Sequence, residues 1–296
     1  MEKIQQKNLS LDFVKLIASC LVVFIHAKFP GRLGSLVACL ARFAVPFFFA
    51  VSGYYSFGVD RYRIQKRMGH VLKLHLIAII LVVLIDCAGL TSPDLMPYIR
   101  GDILLTKNEW LRWILVQDVP YGDQIWFLTA LLQSYGILWV YTVFWEGRTQ
   151  KNVPLYQAAF ALFAIFCTMT QFFRLEGLEI PLHCYRNSWL FGLPMFAAGM
   201  FLHEYKDQIW HNFRLTDTKL VLLILLGAML SVLDEMAGDS GELPSGMILL
   251  VPALLLYLSS HPQLPIKAVW VQKIASRFGV MSTAVYILHV PVKRLY

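Results

Sequence analysis

The hydrophobic and polar positions of the chain alternate in long blocks rather than residue by residue. Apolar segments of about 16 to 24 residues follow one another, and most charged side chains fall between them. A helix needs about 20 mainly apolar residues to cross the hydrocarbon core of a bilayer. The pattern therefore predicts an all-α, polytopic membrane bundle of about nine transmembrane segments. They cover approximately residues 9–28, 35–58, 71–90, 124–145, 153–173, 187–203, 219–234, 244–260 and 278–295.

The second segment, 35–58, is interrupted by Arg42 and by Pro46. A proline cannot continue the hydrogen-bond ladder of a helix, but it fits the first turn of a new one. A break at membrane depth is tolerated only where neighbouring helices or a water-filled cavity satisfy the backbone. An interruption of this segment by Arg42 and Pro46 therefore requires such support.

Composition supports a membrane protein and argues against a soluble domain. Of the 296 residues, 57% are hydrophobic and 15% are charged, whereas a soluble domain has about a quarter charged residues. No long polar block is present, so we expect residues 1–296 to form a single membrane domain. The net charge of +7 is spread over short clusters, and no run of basic and aromatic residues suggests a nucleic-acid partner.

Basic residues in short loops predict the orientation. Four of them lie in the predicted loop 59–70, and they are Arg61, Arg63, Lys66 and Arg67. The positive-inside rule places this loop in the cytoplasm, which also places the amino terminus there. The acidic connection 235–243 then falls outside, whereas the loop that contains Arg214 falls inside. The long polar connection 91–123 is also predicted outside, where it can cover the outer mouth of the bundle.

The five cysteines do not form a recognisable framework. Four lie in apolar runs and one in a polar loop; in chain order they are Cys20, Cys39, Cys87, Cys167 and Cys184. Neither a disulfide pattern nor the spacing of a metal site is present. The sequence therefore predicts no metal centre.

Lys15 and His26 bracket ten residues without a charge. Eleven helical steps make almost three whole turns, so both side chains share one face of a helix, roughly 16 Å apart along its axis. An ionisable group inside a membrane segment usually faces a cavity or a partner. A neutral His26 can accept a proton from a hydroxyl, or it can simply hydrogen-bond a neighbour. Lys15 can serve the same cavity, or it can pair with Asp12 one turn earlier.

Several residues of the second segment can line a cavity beside this face. Arg42 lies midway through an apolar run, where a purely surface role is difficult to explain. Ser52 and Tyr54 flank Gly53, a residue that permits close backbone approach. The aromatic run Phe47-Phe48-Phe49 is more typical of packing.

These motifs, taken in order, resemble the membrane-bound acyltransferase 3 family of bacterial O-acyltransferases. The likeness begins with Leu11-Asp12-Phe13-Val14-Lys15 and His26, and it continues through Arg42, Val45-Pro46-Phe47-Phe48 and Ser52-Gly53-Tyr54. Later landmarks follow in the family's order: Trp126-Phe127-Leu128, Gly192-Leu193-Pro194-Met195-Phe196 with Gly199, and Tyr286-Ile287-Leu288-His289-Val290-Pro291. The resemblance covers nearly the whole chain.

The resemblance implies roles for particular residues. The family's central motif, a basic residue, ten positions and a histidine, corresponds to Lys15 and His26, although the usual basic residue is arginine. A second basic motif, normally two arginines three positions apart, corresponds to Arg63 and Lys66. With Arg61 and Arg67 these residues are expected to hold the phosphates of acyl-CoA. Contacts with substrate or donor are also expected for the residues Arg42, Ser52, Tyr54, Trp126 and His289.

The implied activity is transfer of an acyl group, most often acetyl, from cytoplasmic acyl-CoA to a hydroxyl of a surface or secreted carbohydrate. Acyl-CoA is then a donor substrate, and no permanently bound cofactor is expected. The implied location is the bacterial cytoplasmic membrane, with lipids and a carbohydrate acceptor as partners. Two alternatives remain open. Helices broken near Pro46 and Pro194 also suit a transporter of a small solute. Lys15 and the end of the chain at Tyr296, one helix short of the family's usual ten, suit a shortened, inactive homologue.

Overall fold

A computed structural model describes residues 8–27, 29–88, 105–118, 125–145, 152–178, 185–238, 243–264, 274–275 and 277–294. Within these ranges the regular elements are helices and no strand occurs. The principal helices are α1 (Leu9–His26), α2 (Gly31–Ala41), α3 (Ala44–Tyr54), α4 (Arg61–Ala88), α5 (Lys107–Val116), α6 (Trp126–Trp145), α7 (Val153–Leu175), α8 (Leu193–Asn212), α9 (Asp217–Met236), α10 (Met247–Ser260) and α11 (Phe278–Arg294). A π-helix, Ser188–Gly192, runs directly into α8.

Five helical stretches among the described residues are long and apolar enough to cross a membrane. They are Leu9–His26, Gly31–Tyr54, Arg61–Ala88, Trp126–Trp145 and Val153–Leu175. A sixth span is possible if Ser188–Asn212 and Asp217–Met236, which are bent by 113° against each other, cross as one unit. The chain is thus an all-helical, multi-pass membrane protein over its described part. The predicted cytoplasmic side of the amino terminus stays a prediction.

Two of the nine predicted segments form helices shorter than the usual span. Met247–Ser260 and Phe278–His289 are apolar but belong to the class of 10 to 17 residues. At 1.5 Å per residue, the 14-residue α10 is only about 21 Å long. Among the described residues, five to six stretches therefore qualify as candidate spans by length and composition, and the predicted total of about nine stays a prediction.

The second segment is interrupted in the structure, in the region that Arg42 and Pro46 mark in the sequence. Helix α2 ends at Ala41, Arg42 takes the C-cap position, and α3 begins at Ala44. Pro46 accordingly lies in the first turn of α3, where the proline ring costs no intrahelical hydrogen bond. The two helices together still form one stretch of 24 residues, Gly31–Tyr54.

The predicted loop 59–70 is wrong from Arg61 onward, because α4 already begins there and runs for 28 residues. Asp60 supports this early start: its Oδ1 atom accepts a hydrogen bond of 2.8 Å from the backbone N–H of Arg63. An aspartate before the first turn satisfies an otherwise unpaired amide. The basic residues are therefore part of α4. The apolar pattern missed this part of the helix because charged side chains in its first half lower the hydropathy, although they do not oppose helix formation.

The connection 91–123 lies outside the described residues except for 105–118, which contain α5. Thr106 and Glu109 form a capping box at its start. Hydrogen bonds from the Thr106 backbone and hydroxyl stabilise the Glu109 carboxylate and lower its pKa. At the other end Gln117 adopts a left-handed conformation with φ 53°. The predicted covering of an outer mouth stays a prediction, and Cys184 also lies outside the described residues.

The contacts divide the chain into two compact units. The first contains Met1–Val51 with Phe201–His289, and the second contains Ser52–Met200 with Val290–Tyr296. In the first unit, α9 and α10 approach so closely that a Cβ on Gly246 would lie 1.8 Å from the Gly227 carbonyl oxygen. The start of α1 is tied to the end of α10, since the Leu9 N–H donates to the Pro262 carbonyl at 2.8 Å.

In the second unit, α4 packs against α6 in the antiparallel direction. The Arg61 guanidinium donates to the carbonyl of Thr142 at 3.1 Å, near the end of α6. One and a half to two turns further along α4, the methyl group of Met68 lies 3.9 Å from where a Cβ on Gly136 would stand. The basic start of α4 therefore lies beside the carboxyl end of α6.

Candidate functional site

Lys15 and His26 lie on a single uninterrupted helix, α1, as predicted. His26 is its last residue, and Lys15 lies near its amino end. The Lys15 ammonium forms an ion pair of 2.5 Å with Asp12, whose side chain is only 10% exposed. The pairing that the sequence left open as an alternative is therefore present, which does not exclude a second role for Lys15.

Helix α11 runs parallel to α1 and stays in register with it. The Ser282 hydroxyl donates to the Lys15 carbonyl at 3.0 Å and lies 2.7 Å from the Ser19 hydroxyl. The rings of Phe13 and Phe278 lie 5.4 Å apart at the amino ends of the two helices. Two turns beyond Ser19 and Ser282, the same register brings His26 and His289 together.

The rings of His26 and His289 stack with centroids 5.4 Å apart and an interplanar angle of 25°. His289 is largely buried, and its Nδ1 atom lies 2.6 Å from the carbonyl oxygen of Tyr286. Because a carbonyl can only accept, Nδ1 carries the hydrogen, and a neutral ring then presents Nε2 as its acceptor. The Tyr286 ring, 5.6 Å from His289, forms a further wall of this pair.

Arg42 belongs to the same compact unit as the histidine pair. It is half-buried and occupies the C-cap of α2, with its backbone N–H bonded to the carbonyl of Cys39 at 3.1 Å. The Cys39 thiol in turn lies 3.1 Å from the carbonyl of Ser231 on α9. The helix break therefore places Arg42 one turn after the contact of α2 with α9.

The remaining predicted residues fall in the second unit. The Ser52 carbonyl accepts a bond of 2.6 Å from the Ser56 hydroxyl, and the ring of Tyr54 is buried with its centroid 5.4 Å from that of Tyr55. Trp126 is buried as well, and it meets the ring of Phe191 edge-on at 6.0 Å. These contacts are those of packed side chains.

The four basic residues of α4 separate into two kinds. Arg61 and Arg67 bond to backbone carbonyls: Arg61 to Thr142 on α6, and Arg67 to Tyr55 after the end of α3 at 2.7 Å. Such cations stabilise the negative end of a helix. Arg63 and Lys66 instead project from the exposed face, where Arg63 pairs with Asp60 at 3.3 Å. Of these four residues, only Arg63 and Lys66 lie where a ligand can reach them from solvent.

Sequence reasoning missed the serines that align α1 with α11, and also the carbonyl of Tyr286. Nothing in a single sequence links positions as distant as Ser19 and Ser282, which are 263 apart. It also missed a buried polar network in the second unit. There the Gln117 amide bonds to Gln133 at 2.8 Å, and the Ser188 hydroxyl bonds to Gln133 at 2.5 Å. This network joins α5, α6 and the π-helix.

No group of three or more side chains that could hold a metal ion occurs among the residues that the structure describes. The donor set of the histidine pair suits proton transfer and hydrogen bonding. An imidazole near the end of a membrane helix, with a second imidazole beside it, can accept a proton from a hydroxyl and return it to a leaving group.

The multi-pass helical fold thus carries His26 and the ion-paired Lys15 on α1, with His289 of α11 stacked against His26. The chain belongs to the acyltransferase family whose model is described as an acyltransferase domain, and that model matches residues 8–296. The resemblance noted in the sequence is thereby confirmed over essentially the whole chain. Neither the curated proteins nor the solved structures contain a match.

Proposed function

We propose that this acyltransferase moves an acyl group, most often acetyl, from cytoplasmic acyl-CoA to a hydroxyl of a cell-surface or secreted carbohydrate. The bacterial cytoplasmic membrane is the proposed location. The observation that supports the chemistry best is the His26–His289 stack at 5.4 Å. The stack brings a second imidazole against His26, the last residue of the helix that carries the family's central motif, and this supports the proposal that His26 accepts a proton.

In the proposed reaction, His26 accepts the proton of the acceptor hydroxyl as its oxygen attacks the thioester carbonyl carbon. The new C–O bond forms a tetrahedral oxyanion. When this intermediate collapses, the C–S bond breaks and the thiolate of CoA takes the proton from the imidazolium. The products are the acyl ester and free CoA thiol, and His26 returns to its neutral form. A variant route, in which His26 carries the acyl group transiently, uses the same residue.

His289 is proposed to position His26 and to define one side of the reacting centre. Its Nδ1–H is held by the Tyr286 carbonyl, so its orientation is set by the backbone of α11. Lys15 and Arg42 are proposed to bind polar groups of the donor, and a Ser52 or Tyr54 hydroxyl to stabilise the oxyanion. For the phosphates of the donor, Arg63 and Lys66 are better placed than Arg61 and Arg67, because the latter two already bond to carbonyls.

The test is release of free CoA thiol from acetyl-CoA by purified, detergent-solubilised protein supplied with mixed host glycans. His26→Ala is expected to lower the rate at least about 100-fold, since a general base typically contributes that much or more. The matched control is His211→Ala, at an exposed histidine in the last turn of α8. Acceptor-dependent release that survives in a folded His26→Ala protein contradicts the proposed base.

A further inference from the structure

Helix α5 has an exposed apolar side. Four large side chains lie on it, and each is 46% to 54% exposed; they are Trp110, Leu111, Ile114 and Leu115. Their spacing of one, three and one residues places them on one face of the helix. We call these four residues the apolar face of α5. A contiguous apolar patch of this kind marks a surface that contacts a partner or a membrane.

The other sides of α5 have different surroundings. Trp113 is buried, and its indole N–H donates to the hydroxyl of Thr129 at 3.1 Å. Asn108 and Arg112 lie on a further side, which is exposed and polar. There Arg112 forms an ion pair with Asp118. The helix therefore separates an exposed apolar side from an exposed polar side, as a helix at the boundary between membrane and water does.

Contacts within the second unit place α5 at one end of a candidate membrane span. Thr129 lies in the first turn of α6, a helix that is long and apolar enough to cross the membrane. The other end of α6 receives the basic start of α4, because Arg61 donates to the Thr142 carbonyl there. At 1.5 Å per residue, the 20 residues of α6 match the thickness of the hydrocarbon core. Helix α5 therefore lies where this core meets the headgroups.

Two half-exposed tryptophans lie on and beside the apolar face of α5. Trp110 stacks on Trp113 with ring centroids 5.1 Å apart. Trp189 donates from its indole N–H to the Leu115 carbonyl at 3.1 Å. Indoles are enriched at membrane–water interfaces because an apolar ring carries a polar N–H group. Their position here is typical of a surface at the depth of the headgroups.

The carbonyl groups at the carboxyl end of α5 are bonded to side chains. The Ile114 carbonyl accepts from the side-chain amide of Gln133 at 2.6 Å and from that of Gln117 at 3.1 Å. The Leu115 carbonyl accepts from Trp189. The last carbonyls of a helix have no partner within the helix itself. Since lipid offers them no water, a helix that ends beside lipid needs such side-chain donors.

We propose that the apolar face of α5 is seated among the acyl chains of the lipid bilayer, at the amino end of α6. The bilayer is the partner at hand, because the neighbouring α6 is itself a candidate span. The side with Asn108 and Arg112 then faces headgroups and water. The connection 91–123, which the sequence predicts to be a polar loop, is thereby anchored to the membrane through its described helix. This assignment is independent of the acyl-transfer chemistry.

The experiment uses single nitroxide labels on the full chain, in a background without native cysteines, in nanodiscs of phosphatidylcholine. Leu111→Cys and Leu115→Cys probe the apolar face of α5. Val140→Cys, on an exposed part of α6, is the lipid reference, and Asn108→Cys, on the polar side of α5, is the matched control. Molecular oxygen concentrates among acyl chains, whereas a polar nickel chelate stays in water.

The measured quantity is the ratio of the collision rates with oxygen and with the nickel chelate. At Leu111→Cys and Leu115→Cys this ratio is expected to lie within about threefold of that at Val140→Cys and at least about threefold above that at Asn108→Cys. A ratio equal to that at Asn108→Cys means that the apolar face meets water, and it overturns the assignment. Low collision rates with both reagents mean that a second copy of the chain or another protein segment covers the face, which overturns it as well.

A second measurement requires no label and keeps the native leucines. Phosphatidylcholine that is brominated near the start of its acyl chains quenches the emission of tryptophans that contact those chains. Trp110→Phe keeps an apolar ring on the face, and we expect it to lower the emission that is lost to quenching, relative to the wild type. Equal quenching in Trp110→Phe and the wild type also overturns the assignment.

Discussion

At the scale of single residues, Lys15 shows why a motif position can have two physical explanations. Its ammonium is 2.5 Å from Asp12, and both side chains are largely withdrawn from water. Removing one partner of such an ion pair destabilises the fold, because the remaining charge is then uncompensated. The pair therefore keeps Lys15 in place whether or not its ammonium also meets a donor.

A double-variant cycle separates the two explanations. Lys15→Met removes the ammonium that pairs with the Asp12 carboxylate, and we expect a loss of about 1 to 3 kcal/mol in the free energy of unfolding. Adding Asp12→Asn is expected to recover most of that loss, as measured by thermal unfolding in detergent. If Lys15 also binds donor, thiol release stays low in the stable double variant. Equal stability of Lys15→Met and wild type would contradict the structural role of the pair.

At the scale of elements, the close approach of α3 and α8 depends on Gly53. A Cβ at this position would lie 1.8 Å from the Phe196 carbonyl oxygen and 2.7 Å from its carbon. The sequence suggested that Gly53 permits a close approach, and the structure identifies the backbone that approaches. No flexible side chain can move aside here, because the obstructing atoms are backbone atoms.

We therefore expect Gly53→Ala to lower the free energy of unfolding by roughly 3 kcal/mol or more, through overpacking. The control is Gly69→Ala within α4, where no atom lies within 4 Å of the added Cβ. There the better helix propensity of alanine is expected to raise stability by about 0.5 to 1 kcal/mol. Thermal unfolding of Gly53→Ala and Gly69→Ala tests both expectations. Similar unfolding temperatures for the two variants would refute the close contact at Gly53.

The α1–α11 pair shows a second effect of element packing. Helices that lie parallel and in register repeat their contacts every seven residues, which is two turns. Ser19 faces Ser282, so the residues two turns later, His26 and His289, also face each other. Each histidine is visible in the sequence by itself, but their pairing follows only from the direction and register of the two helices.

At the scale of the whole molecule, the distribution of Lys and Arg predicts which ends of the helices face the cytoplasm. The loop after α8, which contains Arg214, is expected inside, and the end of α9 near Ala237 is expected outside. The stretches Ser188–Asn212 and Asp217–Met236 are bent by 113° against each other. This region is the most informative about orientation, because a re-entrant pair would return both of its ends to one side of the membrane.

Single cysteines in a background without native cysteines test this orientation. Asn212→Cys and Ala237→Cys both place the thiol at an exposed position. We expect a membrane-impermeant maleimide to label Ala237→Cys in intact cells and Asn212→Cys only after lysis. Labelling of both in intact cells would reject the alternation that the positive-inside rule predicts.

Local sequence patterns were sufficient to predict the all-helical membrane class, the interruption of the second segment by Arg42 and Pro46, the shared face of Lys15 and His26, and the family. Each of these depends on local periodicity, on charge, or on the order of motifs along the chain. The sequence predicted segment lengths less well. Helix α4 begins at Arg61, inside a predicted loop, because charged side chains lower the hydropathy of its first half. The exact number of spans stays a prediction, since five to six candidates occur among the described residues and two further apolar helices are shorter.

The contacts between residues far apart in the chain depend on the tertiary structure. The stacking of His26 on His289 and the use of Arg61 and Arg67 at helix ends both depend on packing. Helix periodicity assigns a side chain to a face, but it carries no information about which helix covers that face or in which register. Those choices result from shape and hydrogen bonding between segments far apart in the chain, such as Ser19 and Ser282, 263 positions apart.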